Sequence, residues 1–241
     1  MEVKTKAVVL RCVPYADNRQ VIDLFTEECG RVQFACRMAK TARGKLKRQL
    51  FQPLTLLNVA FDYRPRLSLQ RMRDVSIYRP YTQIPYNMEK LGIAMFVAEF
   101  LTYATRNEQR NDALFNYIEQ CLTWLDTDTG HFANFHLVFM IRIARFLGLM
   151  PNVDDYTPGC YFDLRNACFA AIRPLHNDYL QPQQAQHFLN LIRMDYKTMH
   201  LYKLTRNERN ECAEVILQFY RLHVPGFPEL KSLDVLKQLF V

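Results

Sequence analysis

The chain has 241 residues, 49% hydrophobic and 23% charged, with only seven glycines and a net charge of +7. That is globular composition for one large or two small domains, and it excludes a disordered tail or a coiled-coil rod. The seven cysteines are odd in number and none has C-x-x-C spacing; the longest purely apolar run, Ile93 to Ala98, is far short of the ~20 residues of a membrane span, so a reduced, cytoplasmic chain without a membrane partner is expected.

The first 80 residues read as strands. Lys4 to Arg11 contains Ala7-Val8-Val9-Leu10, and Gln20 to Thr26 alternates, with Val21, Asp23 and Phe25 on one side and Ile22 and Leu24 on the other. Glu28-Cys29-Gly30-Arg31 supplies a turn in which Gly30 is free to take positive φ. Arg31 to Arg37 returns with Val32, Phe34 and Cys36 on one face, and 38–50, rich in Lys and Arg, reads as a mobile loop. A fourth strand runs over 53–63, Arg64-Pro65-Arg66 turns the chain, and 67–78 reads as a fifth strand. Five strands and one long basic loop predict a small closed barrel of the OB type over 1–80, although the period alone does not separate it from an SH3-like barrel.

Two prolines in Pro80-Tyr81-Thr82-Gln83-Ile84-Pro85 stop the sheet pattern, and beyond them the period becomes 3.6. Helices are predicted over 87–106, from an Asn111-Asp112 N-cap to Leu125, over 130–147, and over 182–193, 207–222 and 231–239, with 152–181 irregular. The fold class is therefore α+β multidomain: a five-stranded OB-type β-barrel over 1–80, then an irregular all-α domain over 81–241.

Charge is unevenly spread along this frame. Residues 1–80 hold 16 Lys/Arg against 7 Asp/Glu (+9), whereas 81–241 hold 15 against 17 (−2). Within 37–80, eleven cations face only Asp62 and Asp74, a footprint that suits a polyanion. The residues singled out for nucleic acid are Lys40, Arg43, Lys45, Lys47 and Arg48 in the loop, with Arg37, Arg64, Arg66, Arg71 and Arg73 on adjoining strands and turns. Tyr63, beside Arg64-Pro65, is the stacking candidate, while Phe34 is assigned to the core. Charge alone does not choose the polymer, so an RNA- or ribosome-associated adaptor stands beside a DNA-binding protein.

No catalytic constellation emerges. Gly44-Lys45 lacks the first glycine and the Ser/Thr of a phosphate-binding loop, and G-x-G-x-x-G, H-E-x-x-H and G-x-S-x-G are all absent from the sequence. His131 and His136, five apart, are read as surface or capping residues, and Cys160 and Cys168 with His176 fall short of four ordered zinc ligands. No catalytic residue, metal site or cofactor is expected.

Several stretches together resemble the bacterial RecO family of recombination mediators: Thr5-Lys6-Ala7-Val8-Val9-Leu10-Arg11, Pro14-Tyr15, Asp23 to Val32 with its T-E-x-x-G-R-V pattern, the basic loop, Leu50-Phe51-Gln52-Pro53-Leu54, and Phe146-Leu147-Gly148-Leu149-Met150-Pro151. The resemblance implies an N-terminal OB domain and a C-terminal helical domain without enzymatic turnover. It implies a nucleoid-associated protein that binds single- and double-stranded DNA and anneals strands. It also implies contact with the acidic tail of single-stranded DNA-binding protein, and action with RecR to help RecA onto DNA. An apolar groove flanked by Arg142 and Arg145 is the expected seat of that tail. Many members carry four zinc-binding cysteines after the L-G-x-x-P stretch; here only Cys160 and Cys168 occupy it, so 152–181 reads as a vestigial zinc region.

Overall fold

The structure is a computed structural model that describes residues 1–16, 19–37 and 49–239. Five strands, β1 (Glu2–Ala16), β2 (Arg19–Thr26), β3 (Gly30–Arg37), β4 (Leu56–Asp62) and β5 (Met72–Arg79), form an antiparallel sheet in the order β3-β2-β1-β4-β5. Its edges meet. Phe34 bridges Gln70 in parallel register, Ala35 N–H donates to the Gln70 carbonyl (3.0 Å) and Gln70 N–H to the Gln33 carbonyl (2.8 Å). The sheet is thus closed at this rung, just ahead of β5, where the two edges satisfy each other's backbone groups.

Alternation fills the interior. Val9, Ile22, Leu24, Val32, Phe34 and Phe61 point inward, and the Phe34 and Phe61 rings meet edge to face at 4.9 Å. The outward set of β1 and β2 is also apolar: Val8, Leu10 and Phe25 are buried, and Phe25 stacks against Phe115. Helices α1 (Met88–Ala104) and α2 (Asp112–Thr127) supply that cover, capped by the Asn87 and Asn111 side chains.

The T-E-x-x-G-R segment is where barrel and helices lock. Gly30 has φ +63°, and a Cβ there would overlap the Gln109 backbone, so both conformation and space require glycine. Arg31 is nearly buried; its guanidinium is bound by Asp23 and donates to the Thr102 carbonyl, while its N–H donates to the Glu108 carbonyl (3.1 Å). The proline-bounded segment after β5 is equally tied. Asp126 accepts from the N–H groups of Thr82, Gln83 and Ile84 at 2.8–2.9 Å. Burial alone would raise the Asp126 pKa, but these donors outweigh it and hold the carboxyl below its ordinary value.

By packing the chain divides into two units, 1–128 with 230–239, and 129–229. This division differs from the change of period at 80–85, because α1 and α2 and the last helix, α6 (Ser232–Leu239), which packs on α1, belong to the same unit as the barrel. Glu99 accepts from Ser232 N–H (2.8 Å) at the start of α6, and Gly92 leaves room for the Leu239 side chain, which a Cβ would strike.

The second unit holds α3 (Phe135–Phe146), α4 (Pro182–Arg193) and α5 (Arg206–His223). It is not all-α, as the sequence had suggested. Residues 161–180 contain a three-stranded antiparallel sheet, β6 (Tyr161–Asp163), β7 (Cys168–Ala170) and β8 (Tyr179–Leu180), in the order β7-β6-β8. Strands of two or three residues are too short to show a period. Side chains hold them instead: Asp163 accepts from Arg165 N–H and Asn166 N–H and meets His176 at 3.2 Å, and Phe162 packs on Phe169 and Phe188. His136 also departs from expectation, being buried in α3 rather than at the surface.

Candidate nucleic-acid interface

The fifth strand begins at Met72, later than the predicted 67, because 64–71 wraps around one side chain. Gln70 is buried, and its amide serves the backbone: Oε1 accepts from Arg64 N–H (3.0 Å), while Nε2 donates to the Arg64 and Leu67 carbonyls (2.9 and 2.7 Å). With its backbone groups satisfied inside, the loop turns Arg64, Arg66 and Arg71 to solvent. None of these three has an ion-pair partner among the described residues. Arg73 differs: it is bound to Asp62 at 2.6 Å and lies 3.9 Å from Glu2, so much of its charge is already answered.

The loop lies between two recesses. One, of about 510 Å³, is lined by Arg64, Arg71 and Arg73 with Asp62 and Leu69. The other, of about 480 Å³, is lined by Arg11, Arg31, Gln33, Tyr63, Ser68 and Arg106. Arg11 and Arg31 both bind Asp23, whereas Arg106 is exposed and has no ion-pair partner among the described residues. Tyr63 is half-buried, its ring near-perpendicular to that of Phe61 with centroids 6.1 Å apart, so part of it is already engaged with the core.

At the opposite end of β2, exposed Arg37 pairs across the sheet with exposed Arg19. Like charges on one rung repel, and a polyanion laid over them would relieve that repulsion. Tyr15, 62% exposed on β1 close to that rung, is a freer aromatic face than Tyr63. Sequence reasoning missed Arg11, Tyr15, Arg19 and Arg106. Tyr15 follows Pro14 directly, beyond the apolar run of β1, a local signal that could have marked it as exposed; Arg19, five residues further on from Pro14, carries no such signal. Lys40, Arg43, Lys45, Lys47 and Arg48, and the mobile-loop expectation for 38–50 apart from its last two residues, fall outside the described residues.

In the second unit Arg142 is half-buried and donates to the Met194 carbonyl (3.1 Å), while Arg145 is exposed in the last turn of α3. The residues of the vestigial zinc region, 152–181, do not fit a zinc ion. Cys160 is buried, the Asp163 carboxylate beside Cys168 is already engaged, and no group of three or more His, Cys, Asp or Glu that could hold a metal occurs among the described residues. No disulfide joins the seven cysteines, and no helix among the described residues is long and apolar enough to cross a membrane.

Two family models match the chain, Recombination protein O N terminal over residues 1–81 and Recombination protein O C terminal over 85–234. The chain belongs to the RecO family. It is 48% identical over 238 residues to DNA repair protein RecO of Bacteroides fragilis and 46% identical over 237 residues to that of Phocaeicola vulgatus, covering 98% of both chains in each case. To DNA repair protein RecO of Porphyromonas gingivalis it is 29% identical over the full length of both chains. The T-E-x-x-G-R pattern has a physical meaning in this chain, since Gly30 and Arg31 join the barrel to α1 and to the segment between α1 and α2.

Proposed function

We propose that this RecO-family chain is a non-catalytic DNA-binding protein of recombinational repair. In this reading it works in the cytoplasm on the nucleoid, binds single- and double-stranded DNA, anneals complementary strands, and acts with RecR to help RecA onto DNA coated by single-stranded DNA-binding protein. The barrel is read as an OB fold, which the closed strand order 1-2-3-5-4-1 supports. The observation that carries the reading is the set of exposed arginines without an ion-pair partner among the described residues, Arg64, Arg66 and Arg71 on the pinned loop with Arg19 and Arg37 on one rung, near the exposed ring of Tyr15. Guanidiniums without a protein partner neutralise phosphates, and an open ring stacks on a base without reading its identity. Lys40, Arg43, Lys45, Lys47 and Arg48 extend the same charge in sequence. Exposed Arg145, with Arg142, is the proposed cationic flank for the acidic tail of the single-stranded DNA-binding protein.

The test is anisotropy of a labelled single-stranded oligonucleotide across a salt titration. Replacing Arg64, Arg66 and Arg71 together by Glu should flatten the log–log slope by about 0.7 for each lost phosphate contact. An unchanged slope would remove the loop from the interface. Competition by RNA of matched length decides between the two polymers, and equal or better competition would favour the RNA adaptor.

A further inference from the structure

The second unit contains a groove whose charge is opposite to that of the barrel loop. It lies between α4 and α5, encloses about 300 Å³, and has an apolar floor of Phe188, Leu191, Cys212 and Val215. The lining positions follow helical spacing on both sides, so the groove is a seam between the two helices. Burial pushes the Cys212 thiol up to about 11, so it lines the floor as a neutral, apolar group.

One wall is acidic. Glu208 and Glu211 stand one turn apart on α5. Glu208 uses one oxygen to cap its own helix, accepting from Thr205 N–H (2.7 Å) and Thr205 Oγ1 (2.8 Å). Glu211 is exposed and has no hydrogen-bond or ion-pair partner among the described residues. The opposite rim carries Gln183, whose side-chain amide can both donate and accept, as a peptide backbone requires. His187 stands on that rim, and no Lys or Arg is among the residues that line the groove.

We infer that this groove binds a cationic amphipathic peptide segment of a partner protein, with one aliphatic or aromatic side chain on the Phe188–Leu191–Val215 floor and a flanking Lys or Arg on Glu211. Charge complementarity selects this occupant. An acidic tail or a phosphate backbone would meet an unpaired carboxylate, whereas a basic segment neutralises it over a surface that also accepts an apolar side chain. The inference is independent of the DNA reading, because none of its residues belongs to the barrel.

The test uses the full chain and fluorescein-labelled synthetic hexapeptides read by anisotropy. The probe is Lys-Arg-Leu-Lys-Phe-Arg; one control replaces every cation by Glu, another replaces Leu and Phe by Ser. The probe should bind, and both controls should bind at least tenfold more weakly. Glu211→Lys should weaken the probe at least fivefold, and Val215→Arg, which fills the floor with a cation, should abolish binding. Thermal melts establish that each variant is folded, and oligonucleotide binding by both should match wild type. Binding of the acidic control as tight as the probe, or wild-type affinity in both folded variants, would overturn the inference.

Discussion

Arg31 and Arg64 are the same residue type in the same closed sheet system, yet they do opposite work. Arg31 lies nearly buried between Asp23 and the Thr102 carbonyl, its charge consumed in joining the β2–β3 hairpin to α1. Arg64, with Arg66 and Arg71, stands in solvent on a loop whose own polar groups are satisfied by Gln70. A count of cations treats them alike. What separates them is whether a carboxylate or carbonyl has already answered the charge, and only an unanswered one is available to a ligand.

The sharpest way to break this contrast is to remove the buried cation. Arg31→Met should cost about 3–5 kcal/mol of stability by leaving Asp23 buried without its main partner, a loss to be read from chemical denaturation. If it costs no more than a surface substitution, Arg31 is not structural and belongs with the ligand-facing set. His136 extends the comparison to a charge that the fold refuses. Burial, followed by the nearby Arg209 charge, lowers its pKa to about 3. Between about 3 and the ordinary value of 6.5 the unfolded chain binds a proton that the folded chain does not, so stability rises with pH. Stability should therefore fall as the pH drops below 6.5, by about 1.4 kcal/mol for each unit, and His136→Gln should flatten that dependence in denaturation curves collected from pH 7 to 4. The smallest effect belongs to the exposed loop. Arg64→Met, Arg66→Met and Arg71→Met should each change stability by less than about 0.5 kcal/mol, and a larger loss would show that the loop's arginines support the fold after all.

Much of this architecture was legible because it is periodic. Alternation in β1 to β4 and the 3.6 repeat in α1 to α6 both report a face that must be buried, and Asn111 announced its helix by a local cap. What escaped had non-local causes. Leu67 and Leu69 continue an alternating pattern, yet the chain turns there because the Gln70 amide offers the backbone better partners than a sheet neighbour would. The 161–180 sheet is held by Asp163 and a phenylalanine cluster rather than by a repeat. For the site, the basic concentration was visible, but the engagement of Arg73 by Asp62 and of Arg11 by Asp23 was not, and neither was the pairing of Arg19 with Arg37. Each depends on strand register, which side-chain chemistry does not print in the sequence.

The return of α6 to α1 makes the second unit an insertion within the first. The segment 129–229 leaves from Asp128 and re-enters at Leu230, so the barrel's helical cover is assembled from two stretches a hundred residues apart. A fragment cut after Asp128 would strip α6 from the surface that Gly92 shapes for it and leave the Glu99 carboxylate without the backbone donors it caps. The severable module is therefore the interior of the chain rather than either end: replacing 129–229 with a flexible linker keeps every piece of the first unit, whereas simple truncation does not.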